Sequence, residues 1–358
     1  MGKKHIFYAG PSLLPQPVYE EAAGAIRDFA GTSVSVLSTS HRTSLWSDMM
    51  DETRSLWREL LGIPQEYEVL FTAGGASMEF LRVPMNLLEH KAGYLDTGVW
   101  AGNALREAAG IGNAFAVASS ADRRYSYIPH GFEIPADLDY LHITTNNTVF
   151  GTEIRTDPDC PVPLVADMSS DMLTRPVDVS KYILIYGGAQ KNVGTAGVNF
   201  VIVRRDVLGH VSRHIPTLLD YRLYIDALSM PNTPPVFPIF VMNRTLHWIK
   251  SNGGVAEMNR RNVLKAQALY DEIERNSLFR ATADPRDRSI MNVHFDMAPG
   301  RENLLEEFVS FAEGADIVGI RGHRISGGLR ASLYNACTLE DVEALTECMR
   351  TFEFKHKR

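Results

Sequence analysis

Cysteine is scarce in this chain of 358 residues. Only Cys160, Cys337 and Cys348 occur, and no two of them have the CxxC spacing. An odd and sparse set of this kind argues against a disulfide framework and against structural zinc. The sequence therefore predicts that the protein has no metal site and that it works in a reducing compartment.

Long apolar runs and a basic excess are missing as well. No apolar stretch approaches the roughly 20 residues that cross a bilayer, and the chain reaches Gly10 and Pro11 without the apolar region of a secretion signal. The formal net charge is -7, and acidic and basic residues are interspersed, so no broad electrostatic footprint for nucleic acid is visible. We expect a cytoplasmic protein that binds neither membranes nor nucleic acids.

What the chain does have is a rhythm of short apolar runs alternating with polar or helical stretches. Between residues 66 and 205 this rhythm is typical of βα units, and it predicts an α/β fold with a mostly parallel sheet covered on both faces. The predicted strands are residues 68–72, 92–96, 114–118, 140–145, 164–167, 182–186 and 198–203.

A second region follows a proline-rich break at residues 230–238. Helices are predicted at residues 240–250 and 255–275. Beyond residue 279, predicted strands (289–296 and 328–334) and helices (301–313 and 338–354) alternate. We therefore expect a large domain over residues 16–250 and a smaller α+β domain formed by residues 1–15 and 251–358.

One lysine stands out because an apolar strand delivers it into a glycine-flanked loop. Lys191 follows the predicted strand 182–186, and Asp167 ends the predicted strand 164–167. Ligands of α/β sheets collect at the carboxyl ends of such strands, so an amine and a carboxylate are expected in one crevice. Pyridoxal phosphate (PLP) needs this pair, because the lysine holds its aldehyde carbon and the carboxylate keeps its pyridine nitrogen protonated.

Taken singly, these residues have ordinary explanations. A lysine after an apolar strand is usually solvated, and Asp167, followed by Ser169 and Ser170, could be a helix cap or a turn residue. The PLP interpretation depends on the other parts of a cofactor site, which occur in order at further strand ends.

Three strand ends offer such parts. Residues 74–77 (Gly-Gly-Ala-Ser) join a strand to a helix and favour a phosphate cup that includes Ala76 and Ser77. A dinucleotide fold could begin in the same way, but GxGxxG is absent. Trp100 can lie against a flat ring, Thr148 can offer a hydroxyl to its phenolate oxygen, and Gln190 can hydrogen-bond to the phosphate.

Paired cationic residues indicate the substrate. His41 and Arg42 lie near the start of the chain, and His323, Arg324 and Arg330 lie near its end. Arginine binds carboxylate or phosphate through two parallel hydrogen bonds, so the set suggests a substrate with two anionic ends. Any one of these arginines could instead form a surface ion pair.

With these residues in view, the chain resembles the class-V, fold-type I family of PLP-dependent aminotransferases over nearly its whole length, and within it the enzymes that make O-phospho-L-serine. The motifs that carry the resemblance are Ala9-Gly10-Pro11, Ser38-Thr-Ser-His41-Arg42, Gly74-Gly75-Ala76-Ser77, Pro84-Met-Asn86, Thr97-Gly98-Val-Trp100, Val165-Ala-Asp167-Met-Ser-Ser170, Gly187-Gly-Ala-Gln190-Lys191-Asn192, Asn232-Thr233-Pro-Pro235 and Gly328-Leu-Arg330-Ala-Ser-Leu-Tyr-Asn335.

The resemblance implies a seven-stranded sheet, a homodimer with shared active sites and a ping-pong reaction through a Lys191 Schiff base. The reaction is amino transfer between L-glutamate and 3-phosphohydroxypyruvate, and the related 4-phosphooxy step of pyridoxine synthesis is a second activity of the family. The resemblance implies that Asp167 meets the pyridine nitrogen, Trp100 stacks on the ring and Thr148 meets the phenolate oxygen. It implies that the phosphate is held by Ala76, Ser77 and Gln190, with Asn232 and Thr233 from the second subunit. It also implies that the distal substrate anion is bound by His41, Arg42, His323 and Arg324, and the α-carboxylate by Arg330.

Two alternatives remain open. Another class-V enzyme, such as an alanine-glyoxylate-type aminotransferase or a desulfurase, could share Asp167 and Lys191, although a desulfurase needs a reactive loop cysteine and neither Cys337 nor Cys348 looks placed for that role. From a different class, the chain could bind a cofactor without turnover. The presence of Lys191, Asp167 and Arg330 together argues against that possibility.

Overall fold

The structure, a computed structural model, describes residues 3–356. The outer ends of the predicted small domain, residues 1–2 and 357–358, lie outside the described residues. The strands are β1 His5–Ile6, β2 Tyr67–Ala73, β3 Lys91–Asp96, β4 Asn113–Ser119, β5 Tyr140–Thr144, β6 Asn146–Asn147, β7 Thr152–Glu153, β8 Leu164–Asp167, β9 Leu184–Gly188, β10 Val198–Arg204, β11 Phe279–Ala281, β12 Asn292–Met297, β13 Ile317–Val318 and β14 Leu329–Ser332.

The α-helices alternate with these strands. They are α1 Gln16–Arg27, α2 Ser44–Leu61, α3 Ser77–Leu87, α4 Val99–Ile111, α5 Tyr221–Asp226, α6 Val236–Ser251, α7 Gly254–Arg275, α8 Leu305–Gly314 and α9 Leu339–His356. Within residues 3–356, none of the helices is long and apolar enough to cross a membrane.

The largest sheet within the described chain has seven strands in the order β2-β10-β9-β8-β5-β3-β4. Strands β4, β3, β5, β8 and β9 pair in parallel, and only β10 runs antiparallel to its neighbours β2 and β9. The mostly parallel seven-stranded sheet of the sequence prediction is thus confirmed. Because β8 and β9 are adjacent and parallel, Asp167 and the loop after Gly188 lie at the same edge of the sheet.

Apolar residues cover both faces of this sheet. On one face Trp46 and Trp57 of α2 and Ile239 of α6 pack into a core that includes Phe200. On the other face Phe80 of α3 belongs to a separate core with residues of α4 and α5. Strands that are buried on both faces read as continuous apolar runs, which explains why the sequence pattern located them.

A smaller antiparallel sheet, β11-β12-β14, lies near the C-terminal end. Its apolar side packs with α7, α8 and α9 and with Phe7 from the N-terminal segment. Helix α7 supplies Val255 to the core of the large sheet and Leu269 to that of the small sheet, so it connects the two. The division into domains at residues 15 and 250 stays a prediction.

Strand β9 and helix α6 differ from their predicted bounds for identifiable reasons. Strand β9 extends through Gly188 because Gly187 and Gly188 pair with Phe200 and Asn199 of β10, whereas the residues predicted to open it follow a 3-10 turn at Val179–Lys181. Helix α6 begins at Val236, inside the proline-rich stretch. Its Pro238 lies in the first turn, where backbone N–H groups have no partner within the helix, so the proline removes no bond.

Candidate active site

Lys191 lies just beyond β9, at the carboxyl edge of the large sheet. Its Nζ atom is 5.7 Å from the centre of the Trp100 ring. No hydrogen-bond acceptor for Nζ occurs among residues 3–356. Burial lowers the pKa of Lys191, and the carboxylates of Asp167 and Asp171 oppose this shift. The amine is therefore uncommitted and more easily deprotonated than an exposed lysine.

Asp167 ends β8, next to β9, and is 95% buried at a relative exposure of 5%. Its Oδ1 accepts hydrogen bonds from the backbone N–H of Ser169 at 2.9 Å and from the Ser169 hydroxyl at 2.6 Å. The Ser169 hydroxyl in turn accepts from the N–H of Gly188, at 3.1 Å. Burial raises the pKa of Asp167, while Lys191 and Ser169 favour the ionised form. Of the two carboxylate oxygens of Asp167, only Oδ1 accepts hydrogen bonds from residues 3–356, so the other oxygen can meet a cationic donor.

Trp100, Thr148 and Arg330 form a connected chain of hydrogen bonds. Trp100, in the first turn of α4, donates from Nε1 to the Thr148 hydroxyl at 3.0 Å. Arg330 on β14 donates from Nη1 to the carbonyl oxygen of Thr148 at 2.8 Å. The Arg330 Nε is buried and has no partner among the described residues, and burial lowers the pKa of this arginine. The guanidinium is thus held in place with donor capacity to spare, which suits a carboxylate.

The loop at residues 74–77 is fixed from below by a buried carboxylate. Helix α3 begins at Ser77. Glu79 in its first turn accepts hydrogen bonds from Thr72, Arg82, Asn199 and Tyr221 at 2.6 to 2.9 Å. Asn199 also donates to the carbonyl oxygen of Gly75, at 3.0 Å. The backbone N–H groups at the start of α3 are therefore held in a rigid arrangement, as an anion site requires.

The loop that carries Lys191 is anchored by the N-terminal segment. The N–H of Ser12 donates to the Gln190 carbonyl at 3.0 Å, and the Ser12 hydroxyl donates to the Lys191 carbonyl. An added Cβ at Gly10 would lie 3.4 Å from Lys191 Cγ, so the two segments are in close contact. The Gln190 Oε1 is buried without a partner among residues 3–356.

Asn192 fastens the other side of the same loop. Its Nδ2 donates to the carbonyl of Met172 at 2.6 Å, and its Oδ1 accepts from the N–H of Asn335 at 3.0 Å. Asn335 also donates to the carbonyl of Leu173, at 2.9 Å. The turn after β14 is thereby linked directly to the residue that follows Lys191.

A pair of buried acids lies behind Asp167. Asp171 accepts a 2.6 Å hydrogen bond from the Thr145 hydroxyl, and Glu153 accepts a 2.7 Å bond from the N–H of Ile290. Burial, followed by the neighbouring Asp171 carboxylate, raises the pKa of Glu153 to about 7. Burial also raises the pKa of Asp171, against the influence of Arg175. One proton is thus retained close to neutrality beneath the crevice.

The predicted site residues fall into two groups. Lys191, Asp167, Trp100, Thr148 and Arg330 come together at one end of the large sheet. His323 and Arg324 lie in the loop before β14, where burial and the cationic Arg330 and Arg324 lower the pKa of His323.

Four of the predicted residues lie elsewhere on the chain. His41 and Arg42 form the turn before α2, whose N-cap is Thr43. Asn232 and Thr233 are exposed in the segment before α6. Within residues 3–356, no hydrogen bond or ion pair joins these four residues to Lys191, Asp167 or Trp100.

Sequence reasoning missed the supporting residues Ser12, Glu79, Asn199, Glu153 and Asp171. For Glu79 a signal existed, since an acid lies on an otherwise apolar helix face three residues before Arg82. Asn199 and Glu153 carry no such local signal, because their partners are distant along the chain.

The crevice fits pyridoxal phosphate by the chemistry of its donors and acceptors. It contains an uncommitted amine, a buried carboxylate with an unused oxygen, an aromatic face, and the unpartnered Gln190 side chain near a glycine-rich helix start. These are the groups that would hold an aldehyde, a pyridinium N–H, a flat ring and a phosphate.

Comparison with known proteins agrees with this geometry. The family model described as aminotransferase class-V matches residues 5–345. A phosphoserine aminotransferase from Bacteroides fragilis is 56% identical over 354 residues, covering 99% of this chain and 100% of that protein.

Two solved structures are similar over almost their full length. The phosphoserine aminotransferase from Bacillus circulans subsp. alkalophilus has a TM-score of 0.95 at 40% identity, covering 99% of each chain. The PLP-bound phosphoserine aminotransferase from Trichomonas vaginalis has a TM-score of 0.93 at 34% identity, covering 97% of this chain and 100% of that one.

Proposed function

Since the chain belongs to the class-V aminotransferase family, we propose that it moves an amino group between L-glutamate and 3-phosphohydroxypyruvate, giving 2-oxoglutarate and O-phospho-L-serine. The enzyme is a transaminase, and its relatives at about half identity or better over the full chain are phosphoserine aminotransferases. The activity for which these relatives are named supports the choice of substrate pair.

One observation carries the proposal. The Lys191 amine has no acceptor among the described residues, yet it lies 5.7 Å from the Trp100 ring centre and within the electrostatic influence of Asp167. A structural lysine would be tied to acceptors. This arrangement suits an amine that forms a covalent bond to a carbonyl carbon.

We further propose pyridoxal phosphate as the cofactor, supported by the fit of the crevice and by the PLP-bound relative. When bound, PLP supplies an electron sink for the pair released as the Cα–H bond of the amino acid breaks. Asp167 would face the pyridine nitrogen, Trp100 the ring and Thr148 the phenolate oxygen. Ala76, Ser77 and Gln190 would hold the phosphate.

Lys191 would move the proton. Its pKa is lowered by burial, so a larger fraction of the amine is neutral and able to accept the proton of the substrate Cα. The anchors on both sides of its loop, Ser12 and Asn192, fix the backbone from which the amine swings. Lys191 would thus take the proton from Cα of glutamate in the first half-reaction and deliver a proton to Cα of the product amino acid in the second, on one face.

Substrate selection would rest on cations at both ends of the crevice. Arg330, already oriented by the Thr148 carbonyl, would bind the α-carboxylate. His41, Arg42, His323 and Arg324 would receive either the substrate phosphate or the distal carboxylate of glutamate. Flexible cations with several donors suit a site that must accept both groups in turn.

A homodimer would complete the site. Asn232 and Thr233 are exposed and form no hydrogen bond with the crevice residues of their own chain within residues 3–356, which supports a role against the cofactor phosphate of a second copy. We also propose a cytoplasmic location, supported by the three cysteines, all of which are free thiols.

The test is an absorbance spectrum of the purified protein with PLP, followed by L-glutamate and then 3-phosphohydroxypyruvate. A visible band that glutamate abolishes and the phosphorylated oxo acid restores would establish both half-reactions. A band that glutamate leaves unchanged would overturn glutamate as the donor. Absence of any band would overturn the cofactor assignment.

A further inference from the structure

A cavity lies beside the small sheet, where β11, β12 and the loop before β14 supply part of its lining. We call it the arginine pocket. Its volume is about 240 Å³ and its polar lining includes Arg123, Arg124, Arg280, Ser126, Thr282 and Ser326. A cavity of this size is smaller than a typical drug-sized pocket and suits an ion or a small metabolite.

The register of the small sheet connects this pocket to the crevice. Arg280 on β11 lies opposite Asp296 on β12, and His294 on β12 lies opposite Arg330 on β14. Residues two apart on a strand share a face, and directly opposed residues do so too. These side chains therefore line one polar face, while Phe295 belongs to the apolar core on the other side.

The charge of the arginine pocket is unbalanced. Arg280 and Asp296 are 4.0 Å apart, and the arginine side chain remains 54% exposed. Within the described part of the chain, neither Arg123 nor Arg124 forms an ion pair with a carboxylate. Arg123 instead lies over the Tyr127 ring, with its Cζ 3.9 Å from the ring centre. Three guanidinium groups thus face one carboxylate.

His294 organises hydroxyl groups in the same cavity. The ring is buried, with Nδ1 at 3.1 Å from the Thr282 hydroxyl and Nε2 at 3.0 Å from the Ser326 hydroxyl. Burial, followed by the charge of Arg330, lowers the pKa of His294 to about 4. The ring is therefore neutral near pH 7, and it positions two hydroxyl groups without adding charge.

We propose that the arginine pocket, on the same face of the small sheet as Arg330, is a second anion site that binds the phosphate group of a small phosphate monoester or free phosphate. The forked N–H donors of guanidinium groups match phosphate oxygens. The hydroxyl groups in the pocket would donate to the remaining phosphate oxygens. The pocket shares no residue with the substrate-anion set His41, Arg42, His323 and Arg324. The proposal can therefore fail without affecting the proposed function.

The experiment compares two double variants of the PLP-loaded enzyme. Arg124→Gln with Arg280→Gln removes two pocket charges. Arg286→Gln with Arg301→Gln removes two exposed arginine charges elsewhere and serves as the matched control. Both should retain the wild-type kcat at saturating substrates, which also shows that they fold.

Binding is measured by calorimetric titration with inorganic phosphate and, separately, with glycerol 2-phosphate, which has no amino or oxo group to react. The pocket variant should bind about tenfold more weakly at one site, because charge-assisted hydrogen bonds are lost. Weaker binding of both probes supports a monoester site, and weaker binding of inorganic phosphate alone supports a free-phosphate site. Equal binding by the pocket variant and the control overturns the proposal.

Discussion

The buried Lys265 and the half-buried Lys191 have opposite surroundings. Lys265 on α7 is 2% exposed, and its Nζ donates hydrogen bonds of 2.8 Å each to the carbonyl oxygens of Leu333, Tyr334 and Cys337. Lys191 lies beside an aromatic ring and a carboxylate, with no acceptor for its Nζ among residues 3–356. Burial lowers the pKa of both.

The difference separates a structural lysine from the lysine that we propose to be reactive. An ammonium group has three N–H donors, and around Lys265 all three are used to fix the turn between β14 and α9. That turn also contains Asn335, which holds Asn192 beside Lys191. A lowered pKa alone therefore does not distinguish the two lysines, whereas the hydrogen bonds of their Nζ atoms do.

Replacing Lys191 by Ala gives the largest expected effect. The substitution removes the covalent and proton-transfer group, so kcat should fall by roughly 10⁴-fold or more. The visible band of the PLP-loaded protein should be lost, while the urea midpoint should change little, because no hydrogen bond of Nζ is removed. The measurements are steady-state transamination and the absorbance spectrum.

Lys250→Ala is the matched control, since this helical lysine is exposed and pairs with Glu59. It should keep full activity. Added methylamine should restore part of the activity of Lys191→Ala only. Near-normal turnover by Lys191→Ala without added amine would remove Lys191 from the mechanism.

Lys265→Met should reverse the pattern. The methionine keeps the apolar stem, but three buried carbonyl groups lose their donor, which should lower the free energy of unfolding by roughly 3 kcal/mol. The visible band should persist, because Lys191 is intact. Urea unfolding followed by fluorescence measures the change. Unchanged stability would show that these three bonds contribute nothing net, and the comparison of the two lysines would fail.

Sequence reasoning reached one of these lysines and missed the other, for a physical reason. Lys191 follows an apolar strand and is flanked by glycines, so its setting is encoded within about ten neighbouring residues. The partners of Lys265 are some 70 residues away, and its helix position looks like any amphipathic lysine. The large sheet was predictable because its strands are likewise encoded by neighbouring residues. The hydrogen bonds of Glu79 and the pair of buried acids, Glu153 and Asp171, were not predictable, because most of their partners are distant along the chain.

The buried acids extend the comparison to the opposite charge. Folding raises the pKa of Glu153 from 4.5 to about 7, first through burial and then through Asp171. The folded state therefore holds an extra proton between these pH values, and the free energy of unfolding falls as pH rises across that window. Glu153→Gln, which stays neutral and can keep the bond to Ile290, should be more stable than the wild type above pH 7, by about 1 to 2 kcal/mol.

The gain should vanish near pH 4, where the wild-type carboxyl is protonated as well. Urea unfolding at several pH values measures it, and Glu59→Gln is the control because this side chain is half exposed. A gain that does not depend on pH would mean that Glu153 is ionised in the folded protein.

Trp100→Phe tests whether the aromatic ring, rather than hydrogen-bond acceptors, positions the Lys191 amine. The phenylalanine keeps a ring near the amine but removes the N–H that donates to the Thr148 hydroxyl at 3.0 Å. We expect a loss of about 0.5 to 1.5 kcal/mol in cofactor binding, or roughly two- to tenfold in the dissociation constant. Trp100→Leu removes the ring face too and should lose about as much again. Equal losses in the two variants would show that only the hydrogen bond matters, and Lys191 would then be positioned by its backbone anchors, Ser12 and Asn192, rather than by the ring.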